Sequence, residues 1–181
     1  ESGGKECPPD PDRSQGYVWP LYDSFELVWQ SPGGKPEVFL PSPGYDAEAT
    51  VCFTTGRIVF TSTRSGDREV WAVNPDGSDL VQLTDTPGYD GGAFFTPDCS
   101  RIVWRASRPE GPVLEDYQKL LAEHLVRPSK LDVFSMKADG TDVRKHTSNA
   151  SANFGPYPTP DMKKIIFSSN LGGNEREFDL W

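Results

Sequence analysis

The sequence predicts an all-β protein: a partial β-propeller of about three to four blades, each of four antiparallel strands, with one short inserted helix. Three observations predict it. A block of sequence recurs at a spacing of 44 residues, as in Arg57-Ile58-Val59-Phe60 and Arg101-Ile102-Val103-Trp104. Each block divides into four short runs rich in β-branched and aromatic residues. Asp-Gly and Thr-Pro-Asp turns separate the runs. A unit of this length cannot bury its apolar face alone and must stack on its neighbours.

Residues 1–16 are rich in Gly, Pro and charge and read as an irregular lead-in. Tyr17, Trp19 and Tyr22 follow it and are aromatic enough to be anchored. The blades then divide as 17–42 (partial), 43–86, 87–150 and 151–181 (partial). First strands are expected near Ala49–Thr54 and Ala93–Thr96. Second strands are the RIVF-type segments, with Lys164-Ile165-Ile166-Phe167 as the last. Third strands begin on an acidic residue: Glu26, Glu69, Asp132 and Asp179. Fourth strands follow the turns at Gly34, Gly77 and Gly140. The blade at 87–150 stays in register only if about 19 residues are removed between Arg108 and Lys130. Within that excess, residues 112–126 read as an amphipathic helix. Pro112 suits its first turn, and Leu114, Tyr117, Leu121 and Leu125 form an apolar stripe. The stripe packs on the propeller rim or docks a partner.

The pattern GYD…TPDCSRIVWRAS…DVFSMKADGTDVRKHT resembles the TolB-type, WD40-like (PD40) β-propeller repeat, which also occurs in dipeptidyl-peptidase-like proteins. The resemblance covers roughly residues 17–181. Departures from it lie in turns: Cys99 and Met162 stand at the usual glycine, and one copy reads Phe53-Thr54-Thr55-Gly56. The resemblance implies a non-enzymatic binding or scaffold propeller, periplasmic or secreted. Two other roles stay open. One is an accessory propeller of a peptidase-like enzyme whose catalytic domain lies outside these residues. The other is a structural subunit assembling through open edges.

The net charge of −9 and pI near 4.7, without clustered basic residues, exclude nucleic acid as a partner class. No apolar run is long enough to span a bilayer. A ring of six or seven blades needs about 260–310 residues at this period. The chain therefore reads as a piece of a longer protein, or as one that self-associates. Cys7, Cys52 and Cys99 lack metal-ligand spacing, so no zinc is expected. Cys52 and Cys99 fall near the same turn of adjacent blades. Equivalent places there are expected to lie beyond the roughly 7 Å Cα separation that a disulfide tolerates, so free thiols are favoured, with Cys7 able to pair elsewhere.

No catalytic constellation, metal site or cofactor motif emerges. His124 lies on the inserted helix, and His146 reads as a half-buried strand residue. There is no G-x-S-x-G elbow, phosphate loop or H-E-x-x-H. One polar set is positionally coherent. Asp46 and Asp90 recur at the start of the innermost strands, preceded by Tyr45 and Tyr89, with Asn153 as the next equivalent. This set forms a channel-mouth ring for a cation, a glycan or a peptide end, or it is blade-turn chemistry. The recurring acids Glu26, Glu69, Asp132 and Asp179 read as structural. Asn149-Ala150-Ser151 matches a glycosylation sequon.

Overall fold

The computed structural model describes residues 14, 16–173 and 177–181; Cys7 and most of the lead-in lie outside the described residues. Among the described residues, fifteen strands and one helix follow in chain order. They are β1 (Trp19–Pro20), β2 (Val28–Trp29), β3 (Glu37–Val38), β4 (Asp46–Val51), β5 (Ile58–Ser62), β6 (Glu69–Val73), β7 (Val81–Gln82), β8 (Asp90–Phe95) and β9 (Arg101–Ala106). After these come α1 (Pro112–Ala122), β10 (Leu125–Val126), β11 (Asp132–Lys137), β12 (Arg144–Lys145), β13 (Asn153–Pro158), β14 (Ile165–Ser169) and β15 (Asp179–Leu180).

The protein is a partial β-propeller. Two four-stranded antiparallel blades are present, β4-β5-β6-β7 and β8-β9-β11-β12. A three-stranded blade, β13-β14-β15, follows them, and a two-stranded piece, β2-β3, precedes them. The registers repeat: Asp46 faces Ser62, Asp90 faces Ala106 and Asn153 faces Ser169. The expected first strands thus begin about three residues earlier than the β-rich composition alone placed them.

Blades are joined by one recurring backbone hydrogen bond. The amide of the first residue of each inner strand donates to the carbonyl just before the preceding blade's third-strand acid. These bonds are Asp46 N to Phe25 O at 3.0 Å, Asp90 N to Arg68 O at 3.0 Å and Asn153 N to Leu131 O at 3.2 Å. Apolar side chains fill the space between blades: Val59, Val70, Ile102, Trp104 and Met136 are all fully or almost fully buried. Each such side chain contributes about 1.5–3 kcal/mol through burial. Gly88 is obligatory at its turn, where a Cβ would stand 2.5 Å from the Ser107 carbonyl oxygen.

The inner strands share a second device. Each carries a bulge, at Ala47/Thr50, Gly91/Phe94 and Phe154/Tyr157. The residue inside the bulge is left-handed: Glu48 (φ 57°), Gly92 (φ 59°) and Gly155 (φ 56°). Glycine is the expected occupant of such a backbone; Glu48 is the exception.

The helix is shorter than its apolar stripe. Gly111 and Pro112 start it, and it closes at Ala122, with His124 left-handed at φ 57°. Leu125 consequently belongs to β10, which pairs with β1, so Tyr17–Pro20 is tied to the insertion and not to its own blade. The buried helix residues are Tyr117 and Leu120; Leu114 and Leu121 pack beside them against Leu21, Tyr89 and Leu131.

The expectation of free thiols at Cys52 and Cys99 is overturned. The two form a disulfide, with Cα atoms 5.8 Å apart. They are not equivalent positions: their separation is 47 residues, three more than the period. Cys52 occupies the place of Thr96, since both amides bond the carbonyl that begins the next strand: Cys52 N to Arg57 O and Thr96 N to Arg101 O. Cys99 sits three residues further along its own turn, at φ 58°, and that offset carries its sulfur back to the neighbouring blade. Replacing both cysteines by serine is expected to lower unfolding stability by about 2–4 kcal/mol, for a loop of this length. Urea denaturation with and without reductant checks this, and an unchanged midpoint would refute the cross-link.

Candidate functional site

One end of the blades carries the first residues of the inner strands, the β5–β6 turn and the whole insertion containing α1. This is the end at which the sequence places its channel-mouth candidates. The opposite end carries the Thr-Pro-Asp turns, the Asp-Gly hairpins and the disulfide.

All five mouth candidates lie at that end, and most are buried. Asp46 is 1 % exposed and pairs with Arg64 at 2.8 Å. Asp90 is fully buried, paired with Arg108 at 2.7 Å and bonded by Trp104 Nε1 at 2.6 Å. Asn153 is fully buried and donates to the Leu131 carbonyl at 2.7 Å. Tyr89 is buried and Tyr45 half-buried, each stacked on the Arg68 guanidinium at 4.2 and 5.3 Å. In the last repeat Leu171 stands where Arg64 and Arg108 stand, so Asp–Arg becomes Asn–Leu and charge is lost from both sides together.

The electrostatic centre of the mouth is Glu48, which the sequence reading passed over. Its carboxylate accepts from Arg68 at 2.8 Å, Thr61 at 3.0 Å and the Gly92 amide at 3.0 Å, and it also pairs with Arg105. Arg68 belongs to its own blade; Arg105 and Gly92 belong to the next. Arg105 in turn donates to the Tyr89 hydroxyl at 2.7 Å. Burial alone would raise the Glu48 pKa, but the two guanidinium groups overcome it and hold the group at about 2. A glutamate standing where the next two repeats carry Gly92 and Gly155 was the available signal.

Two of the recurring third-strand acids, Glu69 and Asp132, are structural in their contacts. Glu69 accepts from the Thr84 hydroxyl, which itself accepts from the Val70 amide. Asp132 and Thr147 repeat the arrangement at 2.9 Å. Burial pushes Glu69 up to about 8, assisted by the charges of Asp90 and Asp67. Burial and then Asp46 raise Glu26 in the same way.

The helix is fixed to this network. Tyr117 donates to Asp67 Oδ1 at 2.5 Å, and Asp67 accepts from the Gly88 amide at 3.2 Å. Asn149 is partly buried in its loop, accepting from the Ser151 amide and from Asn153 Nδ2. His124 is exposed and bonds Asp23 at 2.9 Å. His146, expected half-buried, is on the exposed side of the blade edge and bonds Ser135 through Nε2 at 2.8 Å. Among the described residues no group of three or more His, Cys, Asp or Glu is arranged to hold a metal ion, and no helix is long and apolar enough to cross a membrane.

No family model matches the chain. A TolB homolog of Chlorobium luteolum is 24% identical over 195 aligned residues, covering 90% of this chain and 44% of the relative. The chain is similar to TolB-type propellers. TolB from Acinetobacter baumannii has the same fold, with a TM-score of 0.62 at 18% identity over 81% of this chain and 31% of that one. A probable dipeptidyl-aminopeptidase B of Emericella nidulans is 33% identical over 100 residues, covering 48% of this chain and 11% of the relative. The chain thus spans less than half the length of the curated relatives described.

Two pH effects follow, with opposite signs. Glu48 is depressed in the folded state, so its stabilisation is present above its ordinary pKa of 4.5 and is lost as pH falls toward about 2. Glu48→Gln is expected to cost about 3 kcal/mol at pH 7 by leaving Arg68 and Arg105 unpaired, and progressively less below pH 4.5. Glu69 is raised, so its contribution is full below its ordinary 4.5 and is lost as pH rises through about 8. Glu69→Gln is expected to flatten the alkaline side of the stability curve. Denaturant unfolding across the pH range checks both.

Proposed function

We propose that this chain is the binding portion of a non-enzymatic, extracytoplasmic TolB-like propeller, and that the channel-mouth end receives a protein partner. The observation that carries the reading is the mouth itself. Its ionisable groups are locked into fixed partners, Asp46 with Arg64, Asp90 with Arg108 and Glu48 with two arginines. Such an arrangement makes a rigid rim with fixed charge positions, which suits recognition better than proton transfer. The similarity to a TolB homolog along most of the chain supports the same reading. A disulfide between blades supports an oxidising compartment.

A second reading has one specific observation in its favour. The 33% identity to the dipeptidyl-aminopeptidase falls on 48% of this chain. On that reading the propeller is the accessory part of a peptidase-like enzyme, and its mouth admits a peptide to a catalytic domain.

Co-purification from the extracytoplasmic fraction, quantified by mass spectrometry, tests the first reading. Ser65→Arg crowds the mouth in the β5–β6 turn, while Phe53→Ser alters the opposite end. A partner lost with Ser65→Arg and retained with Phe53→Ser is the expected result. Equal retention by both variants refutes the mouth as the binding end.

A further inference from the structure

We propose that a groove beside the last blade binds the C-terminal aromatic residue of a partner chain, taking its ring among four aromatic side chains and its carboxylate at Lys130. This rests on the protein-binding reading above and names the chemistry of the partner.

The groove has a volume of about 800 Å³ and lies between the insertion and the β13–β14–β15 blade; pockets for small ligands run from about 300 to 1,000 Å³. It exists because the last repeat is trimmed. Where two repeats read Pro43-Gly44-Tyr45-Asp46 and Pro87-Gly88-Tyr89-Asp90, the last reads Ala150-Ser151-Ala152-Asn153. Ala152 therefore stands in the place of a tyrosine. Ser168 stands in the place of Arg105, the residue that elsewhere holds that tyrosine's hydroxyl and the Glu48 carboxylate. Both Ala152 and Ser168 line the groove. What is missing is the volume of one tyrosine ring and one guanidinium.

The surroundings say what fits. Trp19 contacts Tyr17 at 6.2 Å and Phe154 at 5.7 Å between ring centres, and Phe154 contacts Phe178 at 5.6 Å. These four rings form a continuous aromatic wall for another ring. Tyr17 is 72% exposed, a large apolar surface to leave to water. The charged side chain lining the groove is Lys130, a cation with no ion-pair partner among the described residues. It supplies the positive charge that Arg105 supplies one blade earlier. A guest bringing a ring and a carboxylate together repeats the Tyr89–Arg105–Glu48 arrangement, with the ring and the anion now coming from outside. Ser129 and Ser151 add hydroxyl groups for the guest's backbone.

The probe is acetyl-Ala-Ala-Tyr with a free carboxylate, compared with the same peptide as its C-terminal amide, in ¹H–¹⁵N NMR titrations of the whole chain. Saturable shifts at residues 150–154 and 168–170 are expected, with binding about fivefold weaker for the amide and for Lys130→Gln. Ala152→Tyr rebuilds the residue of the other repeats and is expected to fill the groove and abolish binding while the spectrum stays folded. Equal binding of acid and amide, binding that survives Ala152→Tyr, no binding at all, or a preference for cellohexaose over the peptide each overturns the proposal. Loss of a protein partner with Ser65→Arg, alongside failure of the peptide, overturns the groove and leaves the wider reading standing.

Discussion

Glu48 stands in a backbone conformation that favours glycine, and the junction of the two complete blades is organised around its charge. The left-handed geometry costs a non-glycine residue roughly 1–2 kcal/mol. Here it aims the carboxylate at two arginines from two blades, a threonine hydroxyl and a backbone amide. A buried guanidinium without a partner is far more costly than that strain, so Arg68 and Arg105 are tolerable in the interior only because Glu48 is ionised. Tyr45 and Tyr89 then stack against the arginines, and Tyr89 joins the apolar cluster beneath the inserted helix. One charge thus links blade-to-blade contact, the aromatic lining of the mouth and the seat of α1.

The period made the blades legible from sequence, because β-branched runs and Asp-Gly turns are local signals that need no knowledge of the ring. The recurring acids were legible too, since Glu69 with Thr84 and Asp132 with Thr147 sit at fixed offsets within one unit. What escaped was everything that depends on a bulge or a turn shifting the phase. Cys52 and Cys99 fall near the same turn of adjacent blades, where equivalent places lie too far apart to bridge, and it is the three-residue offset between them that joins them. Leu125 continued a helical stripe on paper, but it pairs as a strand because His124 turns left-handed before it. Glu48 was hidden in the same way. An inner strand read as simple alternation offers no reason to single out one glutamate, whereas the bulge turns it toward the neighbouring blade.

The last repeat shows the logic in reverse. Its inner strand keeps the bulge, the left-handed glycine at Gly155 and the backbone bond from Asn153 to Leu131, so the blade still docks. Its side chains drop the charges: Asn153 and Leu171 replace an Asp–Arg pair, Gly155 replaces Glu48, and Ser168 replaces Arg105. Backbone hydrogen bonds and apolar packing are therefore sufficient to place a blade, and the ionic knot is an addition at one junction. This separates two roles that the repeat alone merges. Residues kept in every copy dock the blades, and residues that vary between copies either tie one junction, as Glu48 and the Cys52–Cys99 pair do, or shape the surface beside it.

The inserted helix fits this division. It enters where β9 ends and leaves where β11 begins, both at the mouth end, so it enlarges that end without disturbing the register between β9 and β11. Its anchor is Tyr117 on Asp67, a residue of the preceding blade. Asp67 also receives the Gly88 amide, at a glycine whose turn has no room for a side chain. Helix, preceding blade and inner-strand entry consequently meet at one carboxylate. Displacing α1 would strip the phenol from Asp67 and open the apolar cluster around Tyr89 and Leu131 to water. A partner pressing on this end meets a surface braced by buried charge and burial together, and the groove beside the trimmed repeat, with its exposed rings, offers depth.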